Sequence, residues 1–193
     1  MKTLKRSITV LVCLILFSSC TKSIDYSKEK SNIEVRKGTT YYKGTPFTGE
    51  MFENYENGQL RFKHNYKDGK LDGLFEWYYE NGQLWVKENF KDEKRDGLSE
   101  SYYINGKLQV KENWKDGEVD GLYESYYENG KLYIRSNIKD GKEDGLYEEY
   151  YENGQLKYKR NYKDGELDGL EESYYKNGQL KEKGNYKDGD IID

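Results

Sequence analysis

Residues 145–168 read GLYEEYYENGQLKYKRNYKDGELD. Two aromatic-rich runs of alternating polarity flank Asn153-Gly154, and Asn-Gly is the strongest short hairpin signal, because both central residues of a type I′ turn need positive φ. A two-residue turn fixes the register. It sets Glu152 opposite Gln155, Tyr151 opposite Leu156, Tyr150 opposite Lys157 and Glu148 opposite Lys159. One face of this predicted hairpin carries Tyr147, Tyr151, Leu156, Tyr158 and Tyr162 and is expected to be the drier. The other carries Leu146, Tyr150, Asn161 and the Glu/Lys pair.

The same pattern recurs along the chain. Asn-Gly pairs stand at 57/58, 81/82, 105/106, 129/130, 153/154 and 177/178, a spacing of 24 without insertion. Such periodicity marks a repeat array. Six units cover residues 49–192, each begun by a glycine from Gly49 to Gly169. The register can be tested on pairs that played no part in setting it: Glu76 faces Lys87, Glu100 faces Lys111, Glu124 faces Arg135 and Glu172 faces Lys183. With Glu148 and Lys159, each pair sets acid against base, an arrangement worth roughly 0.2–1 kcal/mol per pair across a strand. In the first unit Phe52 replaces the glutamate opposite Lys63, as befits a terminal unit packed against something else.

Between hairpins, Lys-Asp-Gly-x-x-Asp-Gly forms a second turn. The fold class is therefore all-β: an elongated antiparallel meander of six 24-residue hairpin repeats in a single twisted sheet. Residues 32–48 form an N-terminal cap or half-repeat, with Ile33 to Val35 and Thr39 to Tyr42 as a hairpin and the only proline, Pro46, in its turn. The last strand is expected to be an open edge guarded by Lys181, Glu182 and Lys183.

Composition agrees with a thin sheet. Of 193 residues, 35% are charged and 34% hydrophobic, the latter including 21 tyrosines, which leaves too little apolar mass for a thick two-layer core. Aromatic content of 16% and a formal charge of only −4 argue against disorder.

The first residues read as an address. Lys2, Lys5 and Arg6 precede the apolar run Ile8 to Phe17, too short to span a bilayer as a helix, which takes about 20 residues. Ser18-Ser19-Cys20 resembles a bacterial lipobox, which implies removal of residues 1–19 and lipidation of Cys20. Residues 20–31 read as a polar tether. The mature chain would lose three positive charges and carry about −7, which excludes a typical nucleic-acid binder. Cys13 leaves with the leader and Cys20 carries lipid, so no internal disulfide is expected. The expected location is the bacterial cell envelope, at the outer membrane where there is one, since Thr rather than Asp follows Cys20.

The Tyr-Tyr-Glu-Asn-Gly-Gln-Leu core, with Asn-Tyr-Lys-Asp-Gly and the Asp-Gly-Leu start of the next unit, resembles the bacterial variant of the MORN repeat over about residues 40–192. This type occurs in the antitoxin family named for YwqK and in repeat lipoproteins. The resemblance implies successive hairpins in one elongated sheet, and roles as scaffold, membrane-associated module or partner that neutralises a toxin. Related repeats also accompany lipid kinases, but this chain has no Gly-rich phosphate loop and no His-Arg-Asp or Asp-Phe-Gly segment.

Catalysis finds little material. The turn carboxylates Asp140, Glu143 and Asp144 have Lys139 and Lys142 beside them and read as turn chemistry rather than a calcium site. Acids that repeat in every unit opposite a base are structural rather than a glycosidase pair. His64 stands alone and reads as a rim residue. No metal or other cofactor is expected. The candidate binding face comprises Tyr78, Tyr102, Tyr126, Tyr150 and Tyr174 with Trp85 and Tyr133, for an unidentified protein or glycan partner. Trp77, Trp85, Ile104, Gln109 and Trp114 depart from the consensus and mark the second and third units as the place of specificity.

Overall fold

A computed structural model describes residues 22–192; the expected leader and Cys20 lie outside the described residues. The chain opens with β1 (Ser23–Asp25), the short helix α1 (Tyr26–Glu29), a 3-10 turn (Lys30–Asn32), β2 (Ile33–Arg36), β3 (Thr39–Tyr42) and β4 (Thr45–Pro46). The repeats follow as β5 (Gly49–Asn54), β6 (Leu60–Lys67), β7 (Lys70–Tyr78), β8 (Leu84–Lys91), β9 (Lys94–Arg95), β10 (Gly97–Tyr102), β11 (Leu108–Lys115) and β12 (Glu118–Tyr126). They continue as β13 (Leu132–Lys139), β14 (Lys142–Tyr150), β15 (Leu156–Lys163), β16 (Glu166–Leu167), β17 (Gly169–Tyr174), β18 (Leu180–Lys187) and β19 (Asp190–Ile191). From β5 to β19 these strands form an antiparallel meander in a 16-stranded sheet, with β1 added parallel to β5 at its edge. The cap strands β2, β3 and β4 make a separate three-stranded sheet, so the single-sheet expectation holds for the repeats and not for the cap.

The type I′ turn does not sit at Asn-Gly, where the sequence places it. Successive left-handed residues fall at Asp164 (φ 51°) and Gly165 (φ 91°), and Lys163 pairs with Glu166, so the type I′ turn sits at Asp-Gly. At Asn153-Gly154 only the glycine is left-handed. Gly154 N–H donates to Tyr151 O at 2.7 Å and Tyr151 N–H to Gln155 O at 2.8 Å, which closes a three-residue loop ending in a glycine bulge. Tyr151 therefore faces Gln155 rather than Leu156, and Tyr150 faces Leu156 rather than Lys157. A second irregularity between Glu149 and Tyr150 leaves Lys157 as the extra residue and restores the register, so Glu148 still meets Lys159. The two offsets cancel in each of the five ladder repeats, and every acid–base pair read from the sequence stands in register, with Arg135 and Glu124 in direct ion-pair contact at 2.9 Å. Neighbouring hairpins extend the row, because Glu76 also meets Lys63, Glu100 meets Lys87, Glu124 meets Lys111, Glu148 meets Arg135 and Glu172 meets Lys159. Acid and base thus alternate from strand to strand across the sheet.

Among the described residues the buried apolar core is Ile24, Tyr42, Phe47, Met51 and Phe62, with Tyr26, Ile33, Tyr66 and Trp77 packed on it. All lie at the N-terminal end. The later repeats are a single layer held by strand pairing and side-chain ladders. Part of the core comes from the segment expected as a tether: Ile24 is 5% exposed, β1 pairs with Glu50 to Phe52, and Asp25 caps α1 by accepting from Ser27 N–H. Lys28 and Ser27 beside Asp25 hold its carboxyl down at about 2. Two large apolar side chains in a polar stretch, Ile24 and Tyr26, suffice to fold it over the sheet edge.

Candidate functional site

The extra residue in each hairpin decides which side chains share a face. Opposed residues point to the same side of a sheet and successive ones alternate. Glu148, Lys159, Tyr150 and Leu156 therefore share one face, which moves Leu156 away from the face predicted for it. Lys157, the bulged residue, points to the other side, where its Nζ lies 2.7 Å from Glu149 Oε1. Its equivalents Trp85 and Tyr133 point the same way. Tyr133 packs on Tyr127 with ring centroids 4.8 Å apart, and Trp85 packs on Tyr79 at 5.8 Å and Trp77 at 6.4 Å. The predicted binding face is thus split: Tyr78, Tyr102, Tyr126, Tyr150 and Tyr174 lie on one side, Trp85 and Tyr133 on the other. The physical reason is the bulge, which a two-residue turn would not contain.

On the first side the phenols belong to the ionic row. Tyr102, Tyr126, Tyr150 and Tyr174 each donate to the glutamate two residues earlier, at 2.8–3.0 Å. Burial, and then the adjoining carboxylate, pushes the Tyr78 and Tyr102 hydroxyls up to about 12. From the second repeat on, this face repeats Leu, Glu, Tyr, Leu, Lys and Asn at fixed positions, with Arg135 the single replacement. It is the constant face.

The opposite face varies. Its columns read Phe75, Ser99, Tyr123, Tyr147, Glu171; then Trp77, Ser101, Ser125, Glu149, Ser173; then Trp85, Gln109, Tyr133, Lys157, Lys181. In the second repeat Phe75, Trp77, Trp85, Val86 and Phe90 line a shallow apolar hollow of about 480 Å³. Trp85 at its rim is 44% exposed. The hollow's polar wall is the Arg95–Glu88 ion pair at 2.9 Å, with Arg95 also stacked over Trp114.

His64 is not a rim residue. It is 8% exposed, its ring stacks on Phe75 at 3.9 Å and on Phe62 at 4.6 Å, and its Nε2 has no partner. Burial lowers its pKa to about 4. In later repeats the same column holds Glu88, Glu112, Ser136 and Arg160.

Two ladders escaped the sequence reading. Tyr55, Tyr79, Tyr103, Tyr127 and Tyr151 each donate a hydroxyl hydrogen bond to the carbonyl 23 residues later, at 2.7–2.9 Å. Each turn asparagine from Asn57 to Asn153 works twice: Asn153 Oδ1 accepts from Gln155 N–H at 3.0 Å, and Asn153 Nδ2 donates to Lys176 O at 2.8 Å. Strict 24-residue spacing of Tyr and Asn was the available signal. Among the described residues no group of three or more His, Cys, Asp or Glu side chains could hold a metal ion.

The family model described as MORN repeat variant matches residues 47–68, 71–92, 95–116, 119–140, 143–164 and 167–188, one match per hairpin unit. Repeats of this kind are generally non-enzymatic binding modules. The chain matches no curated protein.

Proposed function

Because the chain belongs to the MORN repeat variant family, we propose that it is a non-catalytic repeat protein, held at the bacterial cell envelope by lipid on Cys20, that binds a protein partner through its varied face. One observation carries the binding reading: repeats with an almost invariant constant face change their side chains on the opposite face. The constant face maintains the fold, and the varied one is free to be specific. The apolar hollow around Trp77 and Trp85 offers large aromatic area at low entropic cost, the composition typical of energetically dominant contacts.

The lipid reading rests on the leader, the small residues before Cys20 and the lipobox resemblance. With β1 beginning at Ser23, two residues, Thr21 and Lys22, would separate the lipidated Cys20 from the sheet, a reach of roughly 10 Å. The anchor would hold the first repeat close to the headgroups, with the sixth far from them.

The experiment compares full-length protein with Trp85→Ala/Tyr133→Ala and Tyr102→Ala/Tyr150→Ala in pull-downs from detergent-solubilised envelopes, with lipid labelling of wild type and Cys20→Ser in parallel. Loss of the enriched partner in the first double variant alone supports the reading. Equal retention in both removes it. Enrichment of a toxin whose activity is masked would make the protein an immunity factor, the role that the antitoxin resemblance suggests.

A further inference from the structure

The column holding His64, Glu88, Glu112, Ser136 and Arg160 ends in Gly184. Gly184 has no left-handed φ, so its backbone does not call for glycine. The consequence is space. On the varied face of the sixth repeat the missing side chain opens a pocket of about 250 Å³, lined by Tyr158, Ser173, Glu182, Gly184, Tyr186 and Ile191. Ser173 is 8% exposed and its hydroxyl has no hydrogen-bond partner. A buried hydroxyl left unpaired costs roughly 1–3 kcal/mol, which a ligand bonded to it would recover.

We propose that this pocket binds one neutral sugar ring, a pyranose unit of a glycan. Its volume lies below the roughly 300–1,000 Å³ of drug-sized sites, which suits a single ring. The Tyr186 ring and Ile191 provide faces for the C–H side of a pyranose, while Tyr158, whose ring carries the Arg160 guanidinium 4.1 Å from its centroid, forms a side wall. Ser173 in the pocket, with Glu182 and Lys181 beside it, supplies donors and acceptors for ring hydroxyls. Neither Glu182 nor Lys181 has an ion-pair partner within 4.0 Å among the described residues, so both are available. Glu171, by contrast, is engaged by Arg160 Nε at 2.5 Å. A purely apolar occupant would leave Ser173 unpaired, and an ion of either sign would meet both Lys181 and Glu182. This site is separate from the hollow in the second repeat and does not depend on it.

Saturation-transfer difference NMR on the full chain, with methyl pyranosides of glucose, galactose, mannose and N-acetylglucosamine as probes, tests the proposal. At least one pyranoside should receive saturation, strongest on one C–H face. Gly184→Val, which fills the pocket, should weaken binding more than tenfold, and Ser173→Ala should weaken it roughly 3- to 10-fold, the equivalent of one hydrogen bond. Trp85→Ala should leave it unchanged. Circular dichroism reports folding of each variant, and Lys181→Ala provides a second readout should Gly184→Val unfold. The proposal fails if no pyranoside binds, if folded Gly184→Val binds as wild type, if Ser173→Ala and Lys181→Ala both do, or if only N-acetyltyrosinamide, offered as a mimic of a protein side chain, occupies the pocket.

Discussion

The Tyr103 hydroxyl donates to the Tyr126 carbonyl at 2.7 Å, and the same bond recurs between Tyr127 and Tyr150 at 2.8 Å. Each ties one hairpin loop to the end of a strand in the next repeat. In a linear array, stability is close to a sum of repeat and nearest-neighbour contributions, so these bonds are interface contributions that can be removed singly.

Tyr103→Phe should destabilise the sheet by about 1 kcal/mol, the usual net worth of one hydrogen bond. Tyr175→Phe, at a position whose hydroxyl makes no such bond among the described residues, should be close to neutral. Urea denaturation of the two variants beside wild type checks the difference. Equal effects at both positions would mean that the phenol ring, not its hydroxyl, supplies the contact.

Much of the architecture was legible from residue spacing. The acid–base row could be read from positions such as Glu100 and Lys111 because two irregularities within each hairpin cancel before the row is reached. The irregularities themselves were hidden. Asn-Gly suits a type I′ turn by local preference, yet here Asn153 is chosen for its side-chain bonds to Gln155 and Lys176, a long-range requirement that no local propensity reports. For that reason the sequence reading assigned Trp85 and Tyr133 to the wrong side. The pocket at Gly184 was also hidden, since glycine in a repeat suggests a turn before it suggests missing volume.

Turn type can be tested chemically. Were Asn153-Gly154 a type I′ turn, Asn153→Gly would be tolerated. With the observed loop it removes two hydrogen bonds and should cost about 1 kcal/mol or more, the sites being exposed. The urea midpoint of this variant distinguishes the two.

The second repeat carries an internal strain. Where the other repeats have Asp-Gly, residues 92 and 93 are Asp-Glu, and Glu93 adopts φ 70°. A left-handed non-glycine residue costs roughly 1–2 kcal/mol. Glu93→Gly should therefore raise stability by about 1 kcal/mol, while Gly117→Ala at the equivalent position of the third repeat should lower it. Thermal melting of both variants provides the comparison.

His64 makes stability depend on pH. Its folded pKa, lowered to about 4 by burial, lies below the ordinary value of 6.5. The unfolded chain binds the proton first, so stability is full above about pH 6.5, declines as pH falls toward 4, and gains no further loss from this group below that. The loss amounts to at most about 3 kcal/mol. Urea midpoints across this range should show a decline in wild type that is reduced in His64→Phe. Identical slopes would assign the decline to carboxylates instead.

The separation of the two faces by the hairpin bulge is the premise on which the contact surface rests, and nuclear Overhauser contacts between tyrosine rings test it most directly. Ring protons of Tyr133 should show contacts to Tyr127, whose centroid lies 4.8 Å away, and none to Tyr126 or Tyr150. Contacts from Tyr133 to Tyr126 or Tyr150, with none to Tyr127, would return it to the constant face and contradict the assignment of the binding surface.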